Sequence, residues 1–242
     1  MKESTENILT LDRVEMHRLA RRRVSEISKE FTEGFEFLED YQKSVTFFGA
    51  NQFKEDNPHY ADARKLASRI VKELDYSVLS GGGPGIMEAA NRGAFEAGGD
   101  SLGLLIKLPS AQVTNKYITT SSSFYYFFVR KVCLTFSSEA FIFYPGGFGT
   151  LDEFFEILTL IQTRKITHIP LICVGSEYWN ELKKFMEREI LRRGAIEPED
   201  INLFHIVDDH DKIIEIIKSV PVHMNIPFNG AGATTRIDES RP

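Results

Sequence analysis

The sequence predicts an α/β protein: a doubly wound parallel sheet with helices on both faces. Short apolar runs alternate with longer helix-patterned stretches through most of the 242 residues. The runs are apolar at nearly every position, as strands covered on both faces are. Two of them end in a glycine-rich turn that opens a helical pattern, which is how an open parallel sheet builds a crevice beyond the carboxyl ends of its strands.

The elements follow in order. Residues 1–42 form a helical lead, in which Leu11, Val14, Leu19, Val24, Ile27, Phe31, Phe35 and Leu38 recur at roughly helical spacing in a charged background; this predicts one or two helices packed on the domain. Residues 43–220 form the main, Rossmann-like domain. Its strands are expected at 45–48, 77–79, 102–106, 140–144, 170–174 and 203–207, each an apolar run bounded by turn residues. Its helices are expected at 59–75, 85–97, 124–138, 150–164, 176–193 and 210–219. Residues 221–242, with Asn229-Gly230-Ala231-Gly232-Ala233, have little to bury and read as a loose tail.

Composition narrows the function. A chain of 242 residues that is 42% hydrophobic and 26% charged can bury one sizeable core. A formal charge of −6 makes no field for a polyanion, so nucleic acid polymers and acidic membranes are not expected partners. The longest apolar stretches, such as Phe124 to Val129, are too short to span a bilayer, and the polar start Met1-Lys2-Glu3-Ser4 has no apolar signal-peptide core. A cytoplasmic protein is expected. Cys133 and Cys173 lie among apolar neighbours and read as buried small hydrophobes rather than a disulfide or a catalytic thiol. No metal is expected: the patch from His205 to Asp211 reads as a solvated turn with an aspartate capping the last helix.

The glycine turns are the chemical signal. Ser80-Gly81-Gly82-Gly83-Pro84-Gly85 and Pro145-Gly146-Gly147-Phe148-Gly149-Thr150 each stand where a strand hands over to a helix. A helix start has unpartnered N–H groups and a partial positive charge, and glycine lets an anion approach without meeting a Cβ. Neither turn completes a dinucleotide fingerprint, since Ile86 and Asp152 stand where a small residue is needed, and no Gly-Lys-Ser/Thr closes a P-loop. What remains is a site for a single phosphate, held by backbone N–H groups and the Thr150 hydroxyl, or two tight turns with no ligand.

Two further features bear on that choice. Thr150 and Glu153 have capping-box spacing, so Glu153 either bonds back to its own helix or stands as a carboxylate near the sugar of a bound nucleotide. In Phe124-Tyr125-Tyr126-Phe127-Phe128-Val129-Arg130-Lys131-Val132-Cys133-Leu134, adjacent cations interrupt an aromatic helix. Arg130 there needs an anion, either an internal acid or a ligand. The aromatic crowd at 124–128 exceeds what one helix face requires and points to a second subunit.

The runs Gly-Gly-Gly-Pro-Gly-Ile-Met-Glu-Ala-Ala-Asn (81–91), Phe-Phe-Val-Arg-Lys-Val (127–132) and Pro-Gly-Gly-Phe-Gly-Thr-Leu-Asp-Glu (145–153) together resemble the LONELY GUY (LOG) family of nucleoside 5′-monophosphate phosphoribohydrolases, long labelled "lysine decarboxylase". The resemblance runs from about Ser44 to Ile217. It implies a catalytic Glu153 and Arg130, with Lys131, the basic residue beside the arginine, among the substrate-binding groups. It also implies Gly146, Gly147, Gly149 and Thr150 around the 5′-phosphate, and Gly82, Gly83 and Gly85 along the nucleotide. Asp152 stands where many members have glutamate, and Gly49-Ala50-Asn51 where plant-type members carry serines. The implied activity is cleavage of the N-glycosidic bond of AMP or a cytokinin ribotide-like substrate, without a cofactor. The implied assembly is a homo-oligomer, a dimer at least, and the longer Phe-Phe-Val-Arg-Lys form is similar to the bacterial subgroup that assembles further. Two rivals stay open: a non-catalytic carrier of nucleotide or molybdenum cofactor on the same fold, and a pyridoxal-phosphate decarboxylase with a Schiff-base lysine.

Overall fold

The computed structural model describes residues 13–107, 114–136, 138–166 and 169–220. The expected loose tail at 221–242, the start of the helical lead and Leu11 within it lie outside the described residues.

Seven parallel strands form one sheet: β1 (Ser44–Phe48), β2 (Ser77–Ser80), β3 (Ser101–Ile106), β4 (Thr120–Phe124), β5 (Ala140–Phe143), β6 (Leu171–Cys173) and β7 (His205–Ile206). They run in the order β4-β3-β2-β1-β5-β6-β7. The chain winds outward from β1 in one direction, then returns to lay β5 on the other side of β1. The carboxyl ends of β1 and β5 therefore flank the point where the winding reverses, and there the following loops diverge and leave a crevice.

Side chains alternate across the sheet even though the strands read as unbroken apolar runs. Val45, Phe47, Val78, Ala140, Ile142 and Ile172 belong to one core cluster. Their neighbours Phe48, Leu79, Phe141, Phe143, Leu171 and Cys173 belong to the other. The first cluster is closed by α2 (Pro58–Leu74), α3 (Ile86–Glu96) and α7 (His210–Ser219). The second is closed by α1 (Arg13–Glu39), α4 (Phe127–Phe136), α5 (Phe148–Gln162) and α6 (Ser176–Phe185). Burial on both faces removes the polar alternation that a one-sided sheet would show. Both cysteines are free and buried.

Several expectations change. The lead is one continuous helix over its described length, Arg13–Glu39. The strand β4 was not anticipated: its Thr-Ser-Ser-Ser-Phe sequence is polar because it is an edge strand with its first two residues exposed, so no apolar run announces it. The helix expected from 124 begins at Phe127, because Phe124 ends that strand. The stretch 176–193 is α-helical only to Phe185, continuing as a π-turn at Met186–Ile190 and a 3₁₀ turn at Leu191–Arg193. The helix expected from 150 begins at Phe148, a shift of two residues with direct consequences for Glu153.

Candidate active site

The loop after β1 stitches the two glycine turns together. Ala50 donates its N–H to Pro145 O at 3.0 Å, and its own carbonyl accepts from Ile86 N–H at 3.0 Å. The second turn thus hangs on one side of Gly49-Ala50-Asn51 and the start of α3 on the other. This loop uses its backbone for assembly, which needs no serine side chain.

The first turn is conformationally demanding. Gly82 and Gly85 have φ of +73° and +74°, and a Cβ on either would overlap a neighbour: the Leu105 side chain for Gly82, the Ala50 carbonyl oxygen for Gly85. Its polar groups are largely spent internally. Gly82 N–H donates to Ser80 Oγ at 3.0 Å, while Asn115 N–H and Nδ2 donate to Gly82 O and Gly83 O at 3.0 and 3.1 Å. Behind them Asn91 is fully buried. Its Oδ1 accepts from Ser80 Oγ at 2.6 Å and Asn115 Nδ2 at 2.9 Å, and its Nδ2 donates to Ser101 Oγ at 2.9 Å and Leu102 O at 3.1 Å. Asn91 therefore uses both ends of its amide to hold the turn from below, a role with no local sequence signal because its partners lie 10 to 24 residues away.

The second turn is arranged differently. Gly147 is the N-cap of α5 and makes no side-chain cap bond, and the first intrahelical bond is Leu151 N–H to Gly147 O at 3.1 Å. The N–H groups of Phe148, Gly149 and Thr150 precede that bond and belong to the donors a helix start leaves over. The space around them is open: a Cβ on Gly147 or Gly149 would meet nothing within 4 Å. Gly146, by contrast, is packed on Thr150, whose buried side chain a Cβ there would overlap. Tyr178 donates its hydroxyl proton to Gly146 O at 2.8 Å and fixes the turn from α6.

Because α5 starts at Phe148, Thr150 is inside the helix rather than at its cap, and the capping-box alternative for Glu153 is excluded. Glu153 is instead buried, with its Oε2 lacking a hydrogen-bond partner among the described residues. Burial pushes its carboxyl up to about 7, against the opposing pull of Lys131 and Arg130, with Glu156 and Asp152 adding to the rise.

Arg130 approaches from α4. Its Nε donates to Leu104 O at 2.7 Å, and its guanidinium lies against the first turn so closely that a Cβ on Gly81 would overlap Nη2. Burial lowers its proton affinity and Glu153 raises it, so the two charges share one electrostatic environment. No hydrogen bond or ion pair joins them among the described residues. Gly81 was not among the anticipated site residues; only the position of an arginine 49 residues away makes it one.

Lys131 points elsewhere. Its ammonium pairs with Asp152 at 2.7 Å and with Glu156. Burial works against its proton, but those two carboxylates outweigh burial and hold the ammonium firmly charged. It meets Glu153 through charge and lines an open groove with Phe148, Leu151, Phe155 and Thr159. Among the described residues no cluster of three or more His, Cys, Asp or Glu is arranged to hold a metal ion.

A buried acid, a half-buried guanidinium coupled to it by charge and an open helix amino terminus thus stand beyond and beside neighbouring strands of one sheet. A family model described as "Possible lysine decarboxylase" matches residues 87–217, more than half of the chain. The chain belongs to this family. Within it and its LOG members, the chain is 28% identical over 174 residues to the cytokinin riboside 5′-monophosphate phosphoribohydrolase LOG1 of Arabidopsis thaliana, covering 69% of this chain and 79% of that protein. It is 27% identical over 161 residues to a probable enzyme of the same description, LOGL3, from Oryza sativa, covering 65% and 74%. Among solved structures, this chain superposes on the structural-genomics protein TM1055 with a TM-score of 0.56 at 21% identity, covering 74% of this chain and 99% of that one. It superposes on the molybdenum cofactor binding protein of Rippkaea orientalis at 0.53 and 23% identity, covering 73% and 94%. These structural likenesses show the α/β fold and nothing about a ligand.

Proposed function

We propose that the protein hydrolyses the N-glycosidic bond of a nucleoside 5′-monophosphate, AMP or a cytokinin ribotide-like compound, to free base and ribose 5-phosphate. The observation that carries this reading is Glu153: a buried carboxylate with a free oxygen, one turn inside a helix whose first N–H groups are open to an anion. The names of the relatives from Arabidopsis and rice agree with it.

Bond cleavage builds positive charge on the anomeric carbon, as in glycosidases. The open N–H groups of Phe148, Gly149 and Thr150 take the 5′-phosphate, Gly147 and Gly149 let it approach, and Gly146 seats Thr150 beside it. That places the ribose over Glu153, whose ionised form stabilises the cationic sugar and orients the attacking water. Arg130, beside Gly81, holds phosphate or assists the departing base. Gly82, Gly83 and Gly85 shape the wall along the nucleotide. Lys131 acts on Glu153 through its charge.

A Schiff-base decarboxylase does not fit the lysine at the site. Such a lysine is activated by a lowered proton affinity, and Lys131 is held in the opposite direction by Asp152 and Glu156.

The catalytic domain in this reading is 43–220, in the cytoplasm, where free buried cysteines are ordinary. It works as a dimer at least: Tyr125, Phe127, Phe128 and Phe136 are exposed on and beside α4, more aromatic surface than a monomer needs, and sedimentation reads the state directly.

The decisive experiment incubates the protein with AMP, GMP, CMP and UMP and assays free base. Release from at least one, lost on the order of 10²-fold in Glu153→Gln, supports the reading. Tight nucleotide binding with no base released from any of them favours a carrier and ends it.

A further inference from the structure

We infer that Glu30, on the amino-terminal helix outside the family match, is a positioning residue for Arg130: its carboxylate caps α4 and holds the turn from which Arg130 reaches the site. This rests on the hydrolase reading for its kinetic consequence, and on contacts alone for its structural one.

Glu30 Oε1 accepts the N–H of Tyr125 at 2.7 Å and Oε2 that of Tyr126 at 3.1 Å. These two residues stand immediately ahead of Phe127, where α4 begins, and a helix amino terminus leaves backbone donors over and favours negative charge nearby. Here the cap comes from 95 residues away, so no local motif reveals it. The capped turn is the one that ends at Arg130, whose N–H makes the bond to Tyr126 O at 3.2 Å. With ten residues, α4 is too short to be stable without tertiary support.

The register of α1 on α4 is set at successive levels. Below Glu30, the Phe31 and Phe128 rings lie 6.4 Å apart; next, Gly34 packs so tightly that a Cβ would sit 2.6 Å from Cys133 Sγ; then Phe35 meets Phe136 edge-on at 6.1 Å. The Glu30 cap is therefore the end of a fixed seam. Across α4, the only polar tether on the Arg130 side chain among the described residues is its Nε–H bond to Leu104 O. If the first turn loosens, the guanidinium shifts relative to Glu153, and a misplacement of about 1 Å is enough to slow catalysis on the order of 10²-fold.

The test compares kcat and KM for base release from AMP in the parent, Glu30→Ala, Glu30→Gln, Arg130→Ala and the Glu30→Ala/Arg130→Ala double variant. Glu30→Ala is expected to lower kcat on the order of tenfold, and Glu30→Gln, which keeps one acceptor oxygen, to recover part of it. In the Arg130→Ala background, Glu30→Ala should change the rate by less than about twofold, since its target is gone. Glu33→Ala, an exposed change on the same helix, should leave kcat as it is. If Glu30→Ala costs the same factor with and without Arg130, Glu30 is only structural and the inference is overturned. Should the parent free no base, the hydrolase reading fails separately, and the cap is judged by NMR. Faster exchange of the Arg130 Nε–H in Glu30→Ala upholds it; unchanged exchange overturns it.

Discussion

The guanidinium of Arg130 rests on the bare backbone of Gly81: there is room for the arginine's Nη2 only because residue 81 has no Cβ. The first glycine turn is therefore part of the arginine's seat as well as a route from strand to helix.

Gly81→Ala should follow from that contact. The residue has no positive φ to strain, and the two atoms in the way, Arg130 Nη2 and Met87 Sδ, belong to flexible side chains. The variant should still fold, losing about 1–3 kcal/mol to the crowding, while base release falls on the order of 10²-fold because Arg130 is displaced. Unchanged activity would show that the position of Arg130 does not matter to the reaction.

The two turns separate cleanly by substitution. Gly85→Ala places a Cβ against the Ala50 carbonyl at a φ of +74°, and should destabilise by about 1–3 kcal/mol or more in urea unfolding. Gly149→Ala meets nothing within 4 Å and should fold as the parent does. Its KM for AMP should nonetheless rise severalfold, because the added methyl stands where the phosphate approaches the free N–H groups. A Gly149→Ala enzyme with parental KM would mean that the second turn is only a turn.

Glu153 links activity to pH. Its carboxyl is pushed up to about 7 by burial, and its ionised form is the one assigned to the reaction, so base release should fall as pH drops through about 7. Stability runs the other way. A carboxyl whose proton affinity is higher folded than unfolded contributes stability that is complete below the unfolded value near 4.5 and is lost as pH rises through about 7. Glu153→Gln, which cannot ionise, should be more stable than the parent at pH 8, on the order of 2 kcal/mol, and nearly equal to it at pH 5. Equal stability at both values would show that the acid is not desolvated.

Lys131 tunes that acid. Its charge lowers the Glu153 value while Asp152 and Glu156 raise it. Lys131→Gln removes the opposing charge and leaves both acids, so the midpoint of the acid limb in a pH–rate profile should move up by about one unit. A lysine that bound substrate directly would instead raise KM and leave the midpoint where it was.

Much of the site was legible because its chemistry is local. The turns at 81–85 and 145–150 announce themselves by glycine after an apolar run, and Arg130 by a charge inside an aromatic helix. The strand at 120–124 escaped because polar edge residues lack the apolar run that marks a strand. Thr150 and Glu153 show why short motifs mislead: their spacing suits a capping box, yet α5 starts two residues earlier, at Phe148.

From the sequence alone came the doubly wound sheet, the two helix-opening turns, and the family to which Glu153 and Arg130 point, because each depends on residue types within a few positions of one another. Tertiary structure decided that Glu153 is buried with a free oxygen, that Lys131 is spent on Asp152 and Glu156, that Gly81 lies against Arg130, that Asn91 holds the first turn and that Glu30 bonds the residues ahead of α4. Those relations are between groups far apart along the chain, and burial and charge act through distance in space, which only the folded sheet sets.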